Sequence, residues 1–138
     1  MKDPKYLNEI CEDIFPGLLG IRMTAVGDSE VRAEMEVTKL HLAPNGYLHA
    51  GSVVSLADTS CGNGCIANLP EGASGFTTIE LKSNHLGTVQ EGIIECVATP
   101  EHIGRTTQVW DATVLSKETG KTVALFRCTQ MILYPKNA

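Results

Sequence analysis

No apolar run in the sequence approaches the roughly 20 residues that a membrane-spanning helix needs. The first residues, Met1–Tyr6, include two lysines, but no apolar stretch follows them as it would in a secretory signal. Neither a membrane protein nor a secreted protein is therefore expected.

Positive charge is also scarce, because 11 Lys and Arg residues stand against 16 Asp and Glu residues, a net charge of -5. Nucleic acid needs a surplus of positive charge on its protein partner, so it is not expected as the main partner. A phosphorylated small molecule held by one or two local Arg or Lys side chains remains compatible with this balance.

A second Cys/His pair at zinc-finger spacing is missing as well. Cys61 and Cys65 are four residues apart, which matches one face of a helix, but they stand alone in a stretch of small apolar residues. We therefore predict buried structural thiols and no metal site. Five cysteines, an odd number without a signal sequence, predict reduced thiols and a cytoplasmic location.

The composition that is present is that of a globular protein. The chain has 138 residues, of which 43% are hydrophobic and 20% are charged. This length suits a single domain, which we place over residues 1–138 with a helical segment over residues 1–15.

Two local patterns predict the first elements. Apolar residues recur at near-helical spacing over residues 4–14, which predicts a short amphipathic helix that Pro16–Gly17 ends. Apolar and charged residues alternate without a fault over residues 30–37, which is typical of a half-buried antiparallel strand. Further strands are predicted over residues 19–25, 76–84, 92–99, 106–115 and 122–134.

The longest stretch without a strong helix breaker covers residues 49–68, and it predicts a long helix rich in small residues. Gly62 and Gly64 each cost about 1 kcal/mol there relative to Ala, which favours a close approach by another backbone or a tightly wrapped sheet. The order of elements predicts an α+β fold in which one principal helix covers an antiparallel sheet.

The motif with chemical content is Asn45–Gly51, followed by Leu56-Ala57-Asp58. It resembles the signature of the hot-dog acyl-CoA thioesterases of the phenylacetate-pathway type. Two later segments, Ile79–His85 and His102–Arg105, are similar to the bacterial 1,4-dihydroxy-2-naphthoyl-CoA thioesterases. The resemblance implies a hot-dog fold, hydrolysis of an acyl-CoA, and no cofactor, since coenzyme A is part of the substrate.

Asp58 is the carboxylate that the resemblance assigns as nucleophile or general base. The residues select it independently, because a lone charge among Val53, Val54, Leu56 and Ala57 is costly unless it is paired or used. The resemblance also places the oxyanion donor on the backbone N–H of Ala50, at a helix start where free N–H groups and the helix dipole favour negative charge.

Spacing on the helix makes assembly part of this hypothesis. Ala50 and Asp58 are eight residues apart, so they stand about 12 Å apart along a straight helix. Groups that act on one carbonyl must lie within roughly 3–4 Å of it. Two antiparallel helices related by a twofold axis meet this requirement, which predicts a homodimer with two interfacial sites; a further pairing into a dimer of dimers is also expected.

The remaining site residues follow from the resemblance. His49 is expected to orient the thioester or to hold the turn before the helix, and Thr78 to bind the attacking water. The predicted catalytic set is Asp58, Ala50, His49, Gly51 and Thr78. The predicted substrate-binding set, in which Arg105 is the first candidate for a CoA phosphate, is Asn45, Gly46, Lys82, Asn84, His85, Gly104, Arg105 and Thr106. Trp110 is expected to pack in the core or in an interface.

Two positions depart from the family pattern. Relatives carry Asn or Gln where this chain has Ala43, and Ser or Thr where it has Gly62. Asn45 is a candidate substitute for the first, and Ser60 or Asn63 for the second. Two rival functions stay open on these grounds: a hot-dog enoyl-CoA hydratase, and a non-catalytic protein that binds acyl-CoA.

Overall fold

The computed structural model describes residues 2–136. Met1 and residues 137–138, which the predicted domain includes, lie outside the described part of the chain. The helices are α1 (Pro4–Cys11), α2 (Phe15–Leu18), a short 3-10 helix (Lys39–His41) and α3 (Ala50–Ala67). The strands are β1 (Arg22–Val26), β2 (Val31–Glu36), β3 (Gly75–His85), β4 (Ile93–Ile103), β5 (Thr107–Ser116) and β6 (Thr122–Leu133).

The six strands form one antiparallel sheet in the order β1-β2-β4-β5-β6-β3. Helix α3 lies against the sheet and contacts all six strands. The predicted α+β architecture, a sheet around one principal helix, is therefore confirmed. No helix within residues 2–136 is long and apolar enough to cross a membrane.

Alternation of side chains explains why the strands pack as they do. Every second residue of β5 is buried, and in β2 the buried residues Val31, Ala33 and Met35 alternate with Arg32, Glu34 and Glu36. The charges stay on the outer face, where Glu34 accepts from Arg22 and from Lys117 at 2.9 Å. The strand predicted over residues 30–37 is confirmed by this pattern.

Aromatic side chains of the sheet explain the glycines of α3. An added Cβ on Gly64 would lie 2.6 Å from Cη2 of Trp110, and one on Gly62 would lie 3.0 Å from Cζ of Phe76. The expected close approach is present, but side chains of β5 and β3 make it rather than a backbone. Trp110 is fully buried, as the sequence predicted.

Several elements differ from the sequence prediction: helix α1 ends at Cys11 instead of residue 14, and strand β1 covers Arg22–Val26 instead of residues 19–25. Pro16 and Gly17 do not end the helical region but lie in the short helix α2, because a proline in a first turn lacks only an N–H that would have no partner there. The 3-10 helix at residues 39–41 was not predicted. Strand β4 extends beyond Thr99 to Ile103, and the register shift between Pro100 and His102 accommodates the proline.

The contact between Gly64 and Trp110 yields a test in which two effects have opposite signs. Helix propensity alone predicts that Gly64→Ala stabilises the protein by about 1 kcal/mol. Overpacking against the indole costs about 1–3 kcal/mol, so we expect a net loss in the free energy of unfolding, measured by urea denaturation. In a Trp110→Phe background, where the clashing ring is gone, the penalty should largely disappear. A stabilised single variant would contradict this account.

Candidate active site

Helix α3 begins with one backbone donor that has no acceptor. His49 is the N-cap residue: its Nδ1 accepts the N–H of Gly51 at 2.8 Å, and its carbonyl accepts the N–H groups of Ser52 at 3.0 Å and Val53 at 3.4 Å. Within residues 2–136, the N–H of Ala50 is the one group of this first turn without a partner. It points from the positive end of the helix dipole, which suits a developing oxyanion.

The cap changes what can be expected of Gly51 and His49. The N–H of Gly51 is occupied by the His49 side chain, so Gly51 is not a second free donor at this turn. Because Nδ1 of His49 accepts, its ring proton is on Nε2 in the neutral form. The side chain is exposed and can donate from Nε2 to a ligand while it caps the helix.

A buried histidine that the sequence analysis missed holds this helix start in place. The carbonyl of His41 accepts the N–H of His49 at 2.9 Å and the hydroxyl of Ser52 at 3.0 Å. Nδ1 of the His41 ring accepts the N–H of Thr38 at 2.9 Å, and Nε2 lies 2.7 Å from the carbonyl oxygen of Leu19. Thr38 and His41 form a capping box, but the contacts of His41 with Leu19 and with the start of α3 join distant segments, so no local spacing indicates its role there.

A cavity of about 320 Å³ opens beside the start of α3. It brings together three predicted site residues, Asn45, Ala50 and His85, and is lined further by Tyr47, Leu48, Val53, Gly87 and Thr88. Gly46 adopts a φ of 83°, so its part in this loop is a turn that a side chain would strain.

Asp58 lies half-buried on α3 with one oxygen unsatisfied. Its Oδ1 is buried and has no hydrogen-bond partner within the described residues. Burial raises the pKa of the Asp58 carboxyl above its ordinary value. Ala50 is eight residues away on the same helix, about 12 Å along the axis, so one chain does not bring the carboxylate to the free N–H.

Thr78 lies at the level of Asp58. Helix α3 runs antiparallel to β3, since Ala50 shares a cavity with His85 while Gly62 approaches Phe76. Asp58 is one turn, about 6 Å, before Gly62 on the same helix face. Thr78 is two residues, about 6.6 Å, beyond Phe76 on β3. The Thr78 hydroxyl donates to Oε1 of Gln130 at 2.7 Å, a partner that the sequence analysis also missed.

The predicted coenzyme A residues fall into two groups within one chain. Asn84 pairs with Leu125 on β6, whereas Thr107, next to the turn of residues 104–106, pairs with Met131. Six residues of β6 separate these positions, about 20 Å along the strand. Lys82 and Asn84 line an outer groove with the Arg127–Asp111 ion pair.

The second group is ordered by an aromatic contact. The guanidinium of Arg105 lies 5.8 Å from the ring centroid of Tyr134, whose hydroxyl donates to the Arg105 carbonyl. Gly104 and Thr106 flank it in the exposed turn between β4 and β5.

The two candidate substitutes for a hydroxyl at Gly62 are wrong. Ser60 is fully buried and donates to the carbonyl of Leu56 at 2.7 Å, and Asn63 is 5% exposed. Both therefore face the core. Asn45, by contrast, lines the cavity next to Ala50, and its Oδ1 accepts the N–H of Tyr47 at 3.1 Å. Its side-chain NH₂ leaves donors available to a ligand.

The described residues show no group of three His, Cys, Asp or Glu side chains placed to hold a metal ion. Cys61 and Cys65 are buried free thiols, and burial raises the pKa of Cys65 to about 12.

Comparison with known proteins then decides the family. A family model described as the thioesterase superfamily matches residues 45–123, more than half of the chain. The chain belongs to the thioesterase superfamily. This thioesterase is 33% identical over 111 residues to 1,4-dihydroxy-2-naphthoyl-CoA hydrolase from Listeria monocytogenes, covering 80% of this chain and 89% of that protein.

Solved structures agree. Thioesterase PA1618 from Pseudomonas aeruginosa matches with a TM-score of 0.89 and 31% identity over 95% of this chain and 94% of that one. The PaaI protein from the phenylacetic acid degradation operon of Escherichia coli matches with a TM-score of 0.78 and 26% identity over 94% and 88%. The predicted hot-dog fold and the predicted class, a thioester hydrolase, are confirmed. The individual residue roles, the absence of a metal or cofactor, and the extent of the domain stay predictions.

Burial of Asp58 predicts a link between pH and stability. Its pKa is raised on folding, so ionisation costs folding free energy at any pH above that pKa. Below the ordinary pKa of Asp, about 3.9, the carboxyl is neutral in both states and the cost vanishes. Asp58→Asn should therefore raise the free energy of unfolding at pH 7–8, with a gain that shrinks towards pH 4.

Urea denaturation across this pH range measures the effect. Asp28→Asn, which removes an exposed charge from the turn after β1, is the matched control and should show little of it. If Asp58→Asn were destabilising at pH 7, the carboxylate would have a stabilising partner and the burial argument would be wrong.

Proposed function

We propose that this thioesterase hydrolyses acyl-CoA to a carboxylic acid and free CoA in a homodimer, with each site shared between two subunits. One observation carries the proposal: a free N–H at Ala50 and an unpartnered, buried carboxylate oxygen at Asp58 stand on one helix, about 12 Å apart. In each site, one chain provides the N–H that binds the oxyanion, and a second copy of the chain provides the carboxylate.

The edge of the sheet supports this assembly. Strand β3 pairs with β6 on one side, and no strand within residues 2–136 pairs with its other side. Ile79 and Leu81 on β3 are 54% and 43% exposed. A second copy whose β3 pairs antiparallel with this edge continues the sheet and covers these side chains. Because α3 runs antiparallel to β3 in each chain, the two α3 helices then lie side by side in opposite directions.

In that arrangement the thioester carbonyl oxygen accepts from the N–H of Ala50, and the partner's Asp58 faces the carbonyl carbon. As general base, Asp58 takes one proton from a water while the water oxygen bonds to the carbon and the carbonyl oxygen becomes negative. Collapse breaks the C–S bond, and the leaving thiolate takes the proton from Asp58. Asp58 as a nucleophile, with water attacking an anhydride intermediate, uses the same geometry.

Coenzyme A recognition also spans the dimer in this proposal. Antiparallel pairing of two β3 strands sets the end that carries Lys82, Asn84 and His85 beside the partner's turn of residues 104–106. The two groups that one chain holds about 20 Å apart thus meet at one end of the shared site. Arg105, fixed over Tyr134, is placed to bind a CoA phosphate by charge-assisted hydrogen bonds.

A dimer of dimers and a cytoplasmic location complete the proposal. On the outer face of β6, Leu125, Met131 and Leu133 are 47%, 43% and 41% exposed on either side of Arg127, and these apolar side chains support the pairing of two dimers through their sheets. The five free cysteines support a reducing compartment.

Two variants, each lacking a different one of the two groups, test directly whether the site is shared between subunits. Asp58→Asn removes the carboxylate. Ala50→Pro removes the free N–H and should keep the fold, because proline is favoured in the first position of a helix and His49 has the extended ψ of 134° that proline requires before it. We expect each variant alone to lose at least 100-fold in kcat for an acyl-CoA.

Mixing the two variants under conditions of subunit exchange should restore activity. Half of the dimers are then mixed, and each mixed dimer has one intact site of two, so about one quarter of the wild-type activity is expected. The release of free CoA thiol is the measurement. No recovery, with exchange demonstrated by native mass spectrometry, would overturn the shared site. Full hydrolysis by Asp58→Asn alone would overturn the mechanism.

Arg105→Gln tests the recognition of coenzyme A. Loss of a charge-assisted hydrogen bond to phosphate should raise KM for an acyl-CoA about tenfold or more, with kcat little changed. The same acyl group on pantetheine, which lacks the phosphates, should show no change. Arg22→Gln is a matched control, since Arg22 is exposed and pairs with Glu34 on the far strands β1 and β2. An equal effect on the pantetheine thioester would assign Arg105 to turn structure instead.

A further inference from the structure

Gln130 is a fully buried amide that touches the proposed site through one side chain. It lies on β6 with 0% exposure, and its Oε1 accepts the hydroxyl of Thr78 at 2.7 Å across the β3–β6 pair. Its Nε2 donates to Sγ of Cys128 at 3.4 Å. A buried amide is costly unless it is bonded, and here both ends are bonded.

Two buried thiols, Cys61 and Cys128, lie on the side of the Gln130 amide away from Thr78. A hydrogen bond to Cys128 and burial raise the pKa of Cys61 well above its ordinary value, so Cys61 remains a thiol beside the Cys128 sulfur. The Cys128 sulfur accepts the N–H of Gln130 at 3.4 Å. The amide oxygen is left facing Thr78.

This orientation decides the polarity of the Thr78 hydroxyl. A hydroxyl has one proton to donate, and in Thr78 that proton is committed to Gln130. The lone pairs of Oγ are then its only means of binding anything else. Thr78 lies at the level of Asp58, whose Oδ1 is also an acceptor when ionised.

We propose that Gln130 is a positioning residue for hydrolysis: by holding the Thr78 proton, it makes Thr78 an acceptor for the attacking water. This inference rests on the proposed function. A water that donates one hydrogen to Asp58 and the other to Thr78 has only its lone pairs left, and these face the thioester carbon. A Thr78 hydroxyl free to rotate could donate to the water instead, which would occupy the lone pair needed for attack.

The neighbouring strand provides a matched control. Gln108 on β5 pairs with Gln130 in register and is also 0% exposed. Its amide donates to the carbonyl of Asn68 at 2.9 Å and accepts from Nε1 of Trp110 at 2.8 Å, without contact to Thr78. The two glutamines therefore have the same burial and the same chemistry, but only Gln130 bonds to a group in the proposed site.

The test compares Gln130→Met with Gln108→Met, which remove a buried amide at equal burial. We expect Gln130→Met to lower kcat about 10- to 100-fold with KM little changed, and Gln108→Met to alter thermal stability with kcat within about threefold of wild type. Thr78→Val should lower kcat to the same degree, and the double variant Thr78→Val with Gln130→Met no further, because the two residues act as one unit.

The outcomes separate this inference from the proposed function. Equal kcat losses in the two Met variants, or additive losses in the double variant, would overturn the role of Gln130 even if Asp58→Asn is inactive. Hydrolysis that survives Asp58→Asn would instead overturn the mechanism on which it rests. A neutron structure of the wild-type protein tests the inference without a variant. A Thr78 hydroxyl whose deuteron points at Gln130 would support it, and one whose deuteron points at Asp58 would contradict it.

Discussion

The start of helix α3 is the feature on which the rest of this structure depends. Three of its first four N–H groups are satisfied by His49, and the carbonyl of His41 ties the same turn to the loop before it. What is left is one donor at a fixed place, at the positive end of an 18-residue helix. A donor that needs no reorganisation when charge develops is the main means by which hydrolases of this chemistry lower a barrier.

The carboxylate of the site, unlike the helix start, lowers the stability of the fold. Within residues 2–136, Oδ1 of the half-buried Asp58 has no hydrogen-bond partner, so folding disfavours the charge and the packing of the sheet and helix must offset this cost. Sites that act on substrates commonly carry such a local loss of stability. The apolar surroundings that disfavour the charge also raise the proton affinity of the carboxylate, which suits a group that must accept a proton from water.

Much of the fold could be predicted from local patterns, because the relevant forces are local. The alternation in β2 and the small-residue run of α3 located these elements to within a residue or two. The eight-residue spacing of Ala50 and Asp58 predicts a shared site between two chains, which stays a proposal. Helix α2 was not predicted, because proline breaks a helix interior but is favoured in a first turn, which is where Pro16 lies. His41 and Gln130 were missed because the partners that give them their roles, Leu19 and Thr78, lie on other segments, and no local spacing encodes a strand register. The separation of Lys82 from Arg105 within a chain also depends on strand register, so the sequence did not predict it.

The edge of β3 that has no neighbouring strand within residues 2–136 bears on how activity depends on the association of two chains. In the proposed mechanism, a single folded chain holds a donor and an acid that cannot meet, so we expect it to be inert towards thioesters while it is alone. Catalytic competence then arises at the moment of association, and specific activity follows protein concentration through a dissociation constant. A cell that makes few copies of such a chain has less enzyme than the number of folded molecules suggests.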